Sequence, residues 1–339
     1  MPTLVTALKR PMIVLLVALA AWCGSTAVYA EVKPQQFVDV AKIQLRAVKV
    51  TDAIYVIQGL GDEAAMRGDA QGHLLADTFS GANVGVLLGS DGVLMVDCKY
   101  APLSGKVDEV LAGIGARRGP PHFLINTHIH NDHLGGNSAF GDPATTVIAQ
   151  DSVRKGFQAG TQQRELAMRY WPALTFDQSM SLHFNGEEVR LVSYGGGHTA
   201  GDTVVYFVRS NVVQMGDLYF NGFLPIVDTV NGGDFLRYRE TIRSIYAGLS
   251  DDVKIIPGHG PLATRKDLGN YLRMLNETGD RVIEQMRQGK SLAEIKKAGL
   301  PEEWRPWSWS NVTPGGLIES IYASAKSGPL SGQLPPQGP

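Results

Sequence analysis

Seven consecutive residues constrain this chain more than any others: Thr127-His128-Ile129-His130-Asn131-Asp132-His133. They follow directly on Phe123-Leu124-Ile125-Asn126, an apolar run that reads as a strand. Two histidines one residue apart just past a strand can point to the same side. Neutral imidazole is a good zinc ligand. Asp132 and His133 come from the turn that follows, and a carboxylate beside an imidazole suits a borderline cation such as Zn²⁺. The chain has 8 histidines. His128, His130, His133, His198 and His259 fall at strand-to-loop positions, which argues for a shared site; chance spacing and buried core histidines are the alternatives. His73, His122 and His183 read as surface or packing residues.

The elements around that run alternate as in an α/β protein. Ile54 to Ile57, Asn83 to Leu88 and Val93 to Val96 read as strands, the last two joined as a hairpin through Gly89-Ser90-Asp91-Gly92. A helix over 104–113 and the strand ending at Asn126 deliver polar residues to a strand's carboxyl end, where open α/β sheets place ligands. Strands over 204–208 and 212–215, a helix over 235–249, a strand over 253–256 and a helix over 265–287 continue the pattern. Gly59 to Gly81 is too polar and broken for core; it reads as a surface loop or one bordering the site. A short helix near 291–298, a patch of Trp304, Trp307 and Trp309, and a Pro/Gly tail close the chain. The tryptophans suit packing of the terminal helices, with a cap over the site or a dimer contact as the alternatives. The expected organisation is a targeting segment over 1–30, a main domain over 31–290, a helical extension over 291–326 and a disordered tail over 327–339.

Lys9 and Arg10, the apolar run from Met12 to Trp22 and the closing Val28-Tyr29-Ala30 read as a cleavable export signal. A periplasmic or secreted protein cut after Ala30 is expected. The apolar run is shorter than the roughly 20 residues a membrane-spanning helix needs, so no stable membrane insertion is expected. Lipid anchoring on Cys23 is disfavoured by the bulky Trp22 before it. The formal charge is −2, and loss of Lys9 and Arg10 with no acidic residue moves it to −4. Such a balance does not attract polyanions, which points to a small-molecule substrate and away from nucleic acid. Only Cys98 remains after the signal leaves, so no internal disulfide is expected. The oligomeric state is left open.

The His-x-His-x-Asp-His run is followed in order by Gly197-His198-Thr199, Gly216-Asp217 and Pro257-Gly258-His259-Gly260. This set resembles the metallo-β-lactamase superfamily over about Val50 to Arg265. The resemblance implies a four-layer αββα sandwich with metals at one edge between the sheets, here carrying a short helical C-terminal extension. It implies two Zn²⁺ per chain. His128, His130 and His198 would bind the first, Asp132, His133 and His259 the second, and Asp217 would bridge them; iron or manganese could take the same ligands. Asp97 resembles the acidic residue that ends the equivalent strand, in a supporting role. Thr199 and Asp202 are placed to orient ligands, and Cys98 reads as a small buried group.

Two zinc ions about 3.5 to 4 Å apart can share a water and lower its pKa toward neutrality. The expected enzyme is an exported dinuclear zinc hydrolase whose metal-bound hydroxide attacks a small carbonyl substrate, with Asp132 orienting it and handling its proton. Tyr194 to Phe207 and Met215 to Met274 resemble zinc β-lactamases more than the glyoxalase II branch. Two positions depart from that likeness. Asp217 stands where the most similar β-lactamase subclass has a cysteine ligand. Phe220 stands where those enzymes commonly carry a lysine for the antibiotic's carboxylate, a contact worth about 1.5 to 3 kcal/mol. Asn231 is the candidate match for a carbonyl-polarising asparagine. Phe220 and Asn231 are therefore the candidate substrate residues, and the stretch from Tyr219 to Pro225 is a candidate pocket wall. Asp217 in the bridging place favours an ester, lactone or thioester. Hydrolysis of β-lactams is the alternative, and an iron-dependent oxygenase on the same fold is the alternative of another class.

Overall fold

The computed structural model describes residues 39–327, except 70–72, 74, 76, 117–118 and 161–165. The expected export signal, Cys23 and tail residues 328–339 lie outside the described residues.

One sheet places β1 (Leu45–Lys49), β2 (Ile54–Gly59), β3 (Val84–Gly89), β4 (Gly92–Val96), β5 (Phe123–Ile125), β6 (Thr146–Gln150) and β7 (Leu174–Phe176) side by side in that order. Its first four strands pair antiparallel and β4 to β7 pair parallel. The second sheet holds β8 (Ser179–Phe184), β9 (Glu187–Val192), β10 (Val204–Phe207), β11 (Val212–Gln214), β12 (Lys254–Ile256) and β13 (Ala263–Thr264), with β11 and β12 its parallel pair. In the β3–β4 hairpin Gly89 pairs with Gly92, which leaves Ser90 and Asp91 as a two-residue turn.

Strand alternation distributes the core. Val205 and Phe207 of β10 face the space between the sheets, where they meet Val56, Leu94, Val96, Ile125, Leu191 and Ile256. Val204, on the opposite face, packs with Val213, Ile255 and the helices outside the second sheet. The helices of the first half are α1 (Asp62–Arg67), α2 (Ser104–Gly113), α3 (Asn131–Leu134), α4 (Asn137–Phe140) and α5 (Asp151–Ala159). Val107 and Leu111 of α2 cover Val86, Met95 and Leu124 on the first sheet's outer face. The second half carries α6 (Phe235–Gly248), α7 (Arg265–Arg287), α8 (Leu292–Ala298) and α9 (Pro314–Lys326). Along α7, Leu268, Tyr271, Leu275, Thr278 and Val282 are buried at spacings of three or four residues, one apolar stripe laid on the sheet. A capping box between Thr264 and Asp267 starts that helix. The result is the expected four-layer αββα sandwich. Among the described residues, no helix is long and apolar enough to cross a membrane.

Three expectations need correction. The 59–81 stretch contains α1, whose Ala65 and Met66 are buried with Phe79 in the large apolar cluster. The charged Asp62, Glu63 and Arg67 around that short helix hide its apolar side in the sequence. Secondly, the turn that supplies Asp132 and His133 is itself helical: α3 opens at Asn131 and Gly135 ends it. Finally, the helical extension expected over 291–326 contains a second helix, α9, besides the short one near 291–298. Its Leu317, Ile318 and Ile321 join Ile295 of α8 in the cluster shared with α6 and α7, so residues 291–326 pack onto the main body.

Candidate metal centre

The carboxyl ends of the paired parallel strands meet at one edge of the sandwich. β4 leads to Asp97, β5 to Thr127 and His128, β11 to Asp217 and β12 to His259. Asp132 and His133 come from the first turn of α3. His198 follows a glycine run, and a Cβ on Gly197, whose φ is +156°, would lie 2.9 Å from the Tyr238 backbone. Gly258 answers a close approach of another kind: a Cβ there would lie 2.1 Å from Oδ1 of Asp217.

Two groups of potential ligands result, one of His128, His130, His198 and Asp217, the other of Asp132, His133 and His259. In the first, Nδ1 of His130 lies 3.1 Å from Nε2 of His128 and 2.9 Å from Nε2 of His198. In the second, Oδ2 of Asp132 lies 3.2 Å from Nε2 of His259 and 3.7 Å from Nε2 of His133. Asp217 joins the groups. Its Oδ2 is 3.7 Å from His128 Nε2 and 3.5 Å from His198 Nε2, while its Oδ1 is 3.0 Å from His133 Nε2 and 3.3 Å from His259 Nε2.

These gaps, from 2.9 to 3.7 Å, bracket the roughly 3.3 to 3.6 Å that separates ligands about 2.0 to 2.2 Å from a tetrahedral zinc, so each group is compact enough to close on one cation. Two buried atoms support the same conclusion: Nε2 of His133 and Oδ1 of Asp217 have no hydrogen-bond partner with bonding geometry. Buried polar atoms are rarely left so without a use. The electrostatics agree. Burial pushes His128 and His198 down, the latter to about 4, so both offer lone pairs at neutral pH. Burial opposes charge on Asp132 too, but His133 and His259 hold it down to about 2. Burial likewise opposes protonation of His259, yet Asp217 and Asp132 carry it up to about 9. The carboxylates thus call for positive charge, which two imidazoles supply in part and a cation would supply in full. The residues present fit two such ions.

The outer nitrogens of the imidazoles are tied down. Nδ1 of His198 donates to the Ile226 carbonyl at 2.9 Å, and Nε2 of His130 donates to Asp228 at 2.7 Å. Nδ1 of His133 donates to Asp97 at 2.8 Å, and Asp97 also accepts from the backbone and hydroxyl of Thr127. Such bonds select the tautomer whose lone pair faces the candidate metal position. Asp202 accepts from the backbone of His198 and Thr199, as expected. Cys98 is buried with its thiol against the His133 carbonyl and Asn137.

The candidate substrate residues fall differently. Phe220 is fully buried, stacked on His259 at 5.3 Å and near Trp309 at 5.9 Å, so it supports a ligand and presents no surface to a substrate. Tyr219, Phe223 and Leu224 are buried with it, and Trp309 donates to the Leu224 carbonyl. The tryptophan patch therefore braces the loop after Asp217 from behind; Trp304 is buried as well and donates to Glu277. Asn231 lies nearer the open side, its amide donating to Asp228 at 2.6 Å. A cleft of about 460 Å³ opens beside His259, walled by Arg46, Leu60, Arg67, Gly81 and Asn83. Another of about 220 Å³ lies by Thr199, Val230 and Asn231. Asp228 and Lys99 had escaped notice in the sequence. Asp228 sits in a loop with no periodicity to reveal it, whereas a lysine just past the buried β4 strand was a usable signal.

Two buried His and Asp groups joined by one carboxylate, at the edge of an αββα sandwich, define a protein of the metal-binding type that this fold carries. The chain belongs to the metallo-beta-lactamase superfamily, whose family model matches residues 77–259. Among curated relatives, the 2,4-dinitroanisole O-demethylase subunit alpha of Nocardioides sp. (strain JS1661) is 25% identical over 213 residues, 62% of either chain. The chain therefore spans less than two thirds of that relative's length. Metallo-beta-lactamase IND-1 of Chryseobacterium indologenes is 24% identical over 202 residues, 58% of this chain and 79% of the relative. Similar solved structures share the fold. A metallo-beta-lactamase from Pontibacter korlensis has a TM-score of 0.56 at 17% identity, covering 69% of this chain and 99% of its own. The sec-alkylsulfatase Pisa1 from Pseudomonas sp. has a TM-score of 0.60 at 15% identity, covering 82% and 50%.

Proposed function

We propose that the protein is an exported dinuclear zinc hydrolase that cleaves a small carbonyl substrate: an ester, a lactone or a thioester. The observation that carries this reading is the division of Asp217, with Oδ2 turned to His128 and His198 and Oδ1 to His133 and His259. His128, His130 and His198 would hold one ion, Asp132, His133 and His259 the other, and Asp217 both. Bound there, two divalent cations would polarise the carbonyl and lower the pKa of a water between them. The chain's own residues do the rest. Asp132 turns Oδ2 to the histidines, which leaves Oδ1 to accept the water's proton and orient its lone pair. The hydrogen bonds from His130, His133 and His198 to Asp228, Asp97 and the Ile226 carbonyl hold the imidazoles still while charge develops on the carbonyl oxygen. The substrate enters by the cleft beside His259, and Asn231 flanks the opposite side.

Hydrolysis of β-lactams is the second reading, favoured by the likeness to a curated β-lactamase over more than half the chain. The burial of Phe220 counts against it, because no cation stands there to receive the antibiotic's carboxylate. Export rests on Lys9, Arg10 and the apolar run that ends near Ala30. Mass spectrometry of the protein from a periplasmic or culture fraction should find Glu31 as the first residue.

Metal-quantified protein starting at residue 31 should carry two zinc ions and turn over at least one of a lactone, aryl ester or thioester series faster than any β-lactam. A single iron per chain with oxygen consumption would defeat the reading.

A further inference from the structure

Lys99 is wholly buried, although its ammonium carries no part of the chemistry above. It adopts φ +62°, unusual for a side-chain-bearing residue, two residues after Asp97 at +64°. Its Nζ donates to Ser80 Oγ at 2.7 Å and to the Ala82 carbonyl at 2.6 Å. Ser80 in turn donates its hydroxyl and its backbone N–H to Asp62, at 2.6 and 2.8 Å. The segment so pinned touches both loops that supply the second ligand group. Ala82 N–H points to the Asp132 carbonyl at 3.4 Å, and Asn83 N–H donates to the Gly258 carbonyl, beside His259, at 2.8 Å. The backbone around Lys99 holds the α3 turn as well: Cys98 N–H donates to the His133 carbonyl at 2.7 Å, and the Lys99 carbonyl accepts from Gly136, which follows α3, at 2.9 Å. No hydrogen bond runs from the Lys99 side chain to His128, His130 or His198.

We propose that Lys99 is a positioning residue for the second metal: one buried ammonium that holds the 80–83 segment against the two chain segments that bear Asp132 with His133 and His259. The assignment rests on the two-metal reading given above. It also makes a prediction of definite sign. A buried positive charge near a dication is by itself repulsive, so a purely electrostatic effect of Lys99 would oppose the second metal, and removing the charge would tighten binding. A positioning role predicts the reverse.

The test is a zinc titration of metal-free wild type, Lys99→Met and Ser80→Ala against a chromophoric chelator, resolving the two dissociation constants, with circular dichroism to check the fold. The expected result is a second-site affinity weakened about 10- to 100-fold in Lys99→Met and less in Ser80→Ala, with first-site affinity held within about twofold. Wild type taking up two ions while Lys99→Met binds the second equally well, or more tightly, overturns the role of Lys99 alone. Equal weakening of both sites overturns it too. If Lys99→Met fails to fold, Ser80→Ala decides: native second-site affinity there is fatal to the proposal. A wild type that binds a single ion sinks the two-metal reading and this inference together.

Discussion

His130 and Asp228 are joined by a 2.7 Å hydrogen bond from imidazole Nε2 to the carboxylate. That bond leaves Nδ1 as the lone pair that meets His128 and His198. A loop residue thus sets the tautomer of a ligand that the other half of the chain supplies, and at the same time receives the amide of Asn231. Replacing Asp228 with Asn keeps the volume and removes the charge. The variant should bind the first metal about 10- to 100-fold more weakly while the second site is unaffected, measured by competitive zinc titration.

Asp132→Asn should fold and lose turnover by a factor on the order of 10² to 10⁴, because the group that accepts the water's proton is gone. Steady-state kinetics on the best substrate, together with metal content, check this. Turnover near the wild-type rate with two ions bound would remove Asp132 from the proton's path.

Phe220→Ala should act on stability before specificity. The ring is fully buried between His259 and Trp309, and truncation of a buried phenylalanine costs about 3 to 5 kcal/mol. Urea unfolding of metal-free protein measures the loss. A change in KM for different acyl groups with unchanged stability would contradict the placement of Phe220.

Stability should rise with alkaline pH through Lys99. Burial lowers its pKa from the ordinary 10.5 to about 8, only partly offset by the Asp62 and Asp132 carboxylates. Between these values the unfolded chain holds a proton that the folded chain has released, so raising the pH favours folding. Below about 8 both states are charged and the cost of burial is felt in full. From about pH 7.5 to about pH 9.5 wild type should gain roughly 2 kcal/mol relative to Lys99→Met, read from parallel urea melts. A difference that does not change with pH would mean that Lys99 is charged throughout.

Metal removal should destabilise the fold. At free zinc 100 times its dissociation constant the expected stabilisation is about 2.7 kcal/mol for each ion. Calorimetric melts with and without chelator measure it, and an unchanged melting temperature would mean that the site stays empty under those conditions.

Much of this was legible in the sequence, for definable reasons. The helices at 104–113 and 265–287 coincide with α2 and α7, since their apolar spacing and end residues are unambiguous. The seven candidate ligands could be read because metal chemistry restricts residue type and their order and spacing in the chain are distinctive, and the structure brings all seven together. Phe220 misled because a likeness of position says nothing about which way a ring turns; Trp309, 89 residues later, fills the space behind it. Helix α1 escaped because six residues are too few to display a period, and only contact with Phe79 and the C-terminal cluster shows that Met66 is inward. Asp228 escaped for a related reason: it acts through His130, far away in the chain.

The Asp217 carboxylate lies across the seam between the two sheets. The first sheet's loops bring His128, His130, Asp132 and His133, and the second sheet's loops bring His198, Asp217 and His259. A chain still being synthesised lacks the shared carboxylate until residue 217 has emerged, and it lacks the last imidazole until residue 259. On the two-metal reading, neither ion could be held in its final coordination by a half-made protein. Loading would then be a late event in the life of the molecule, and the ions acquired would be those available wherever its second sheet closes on its first.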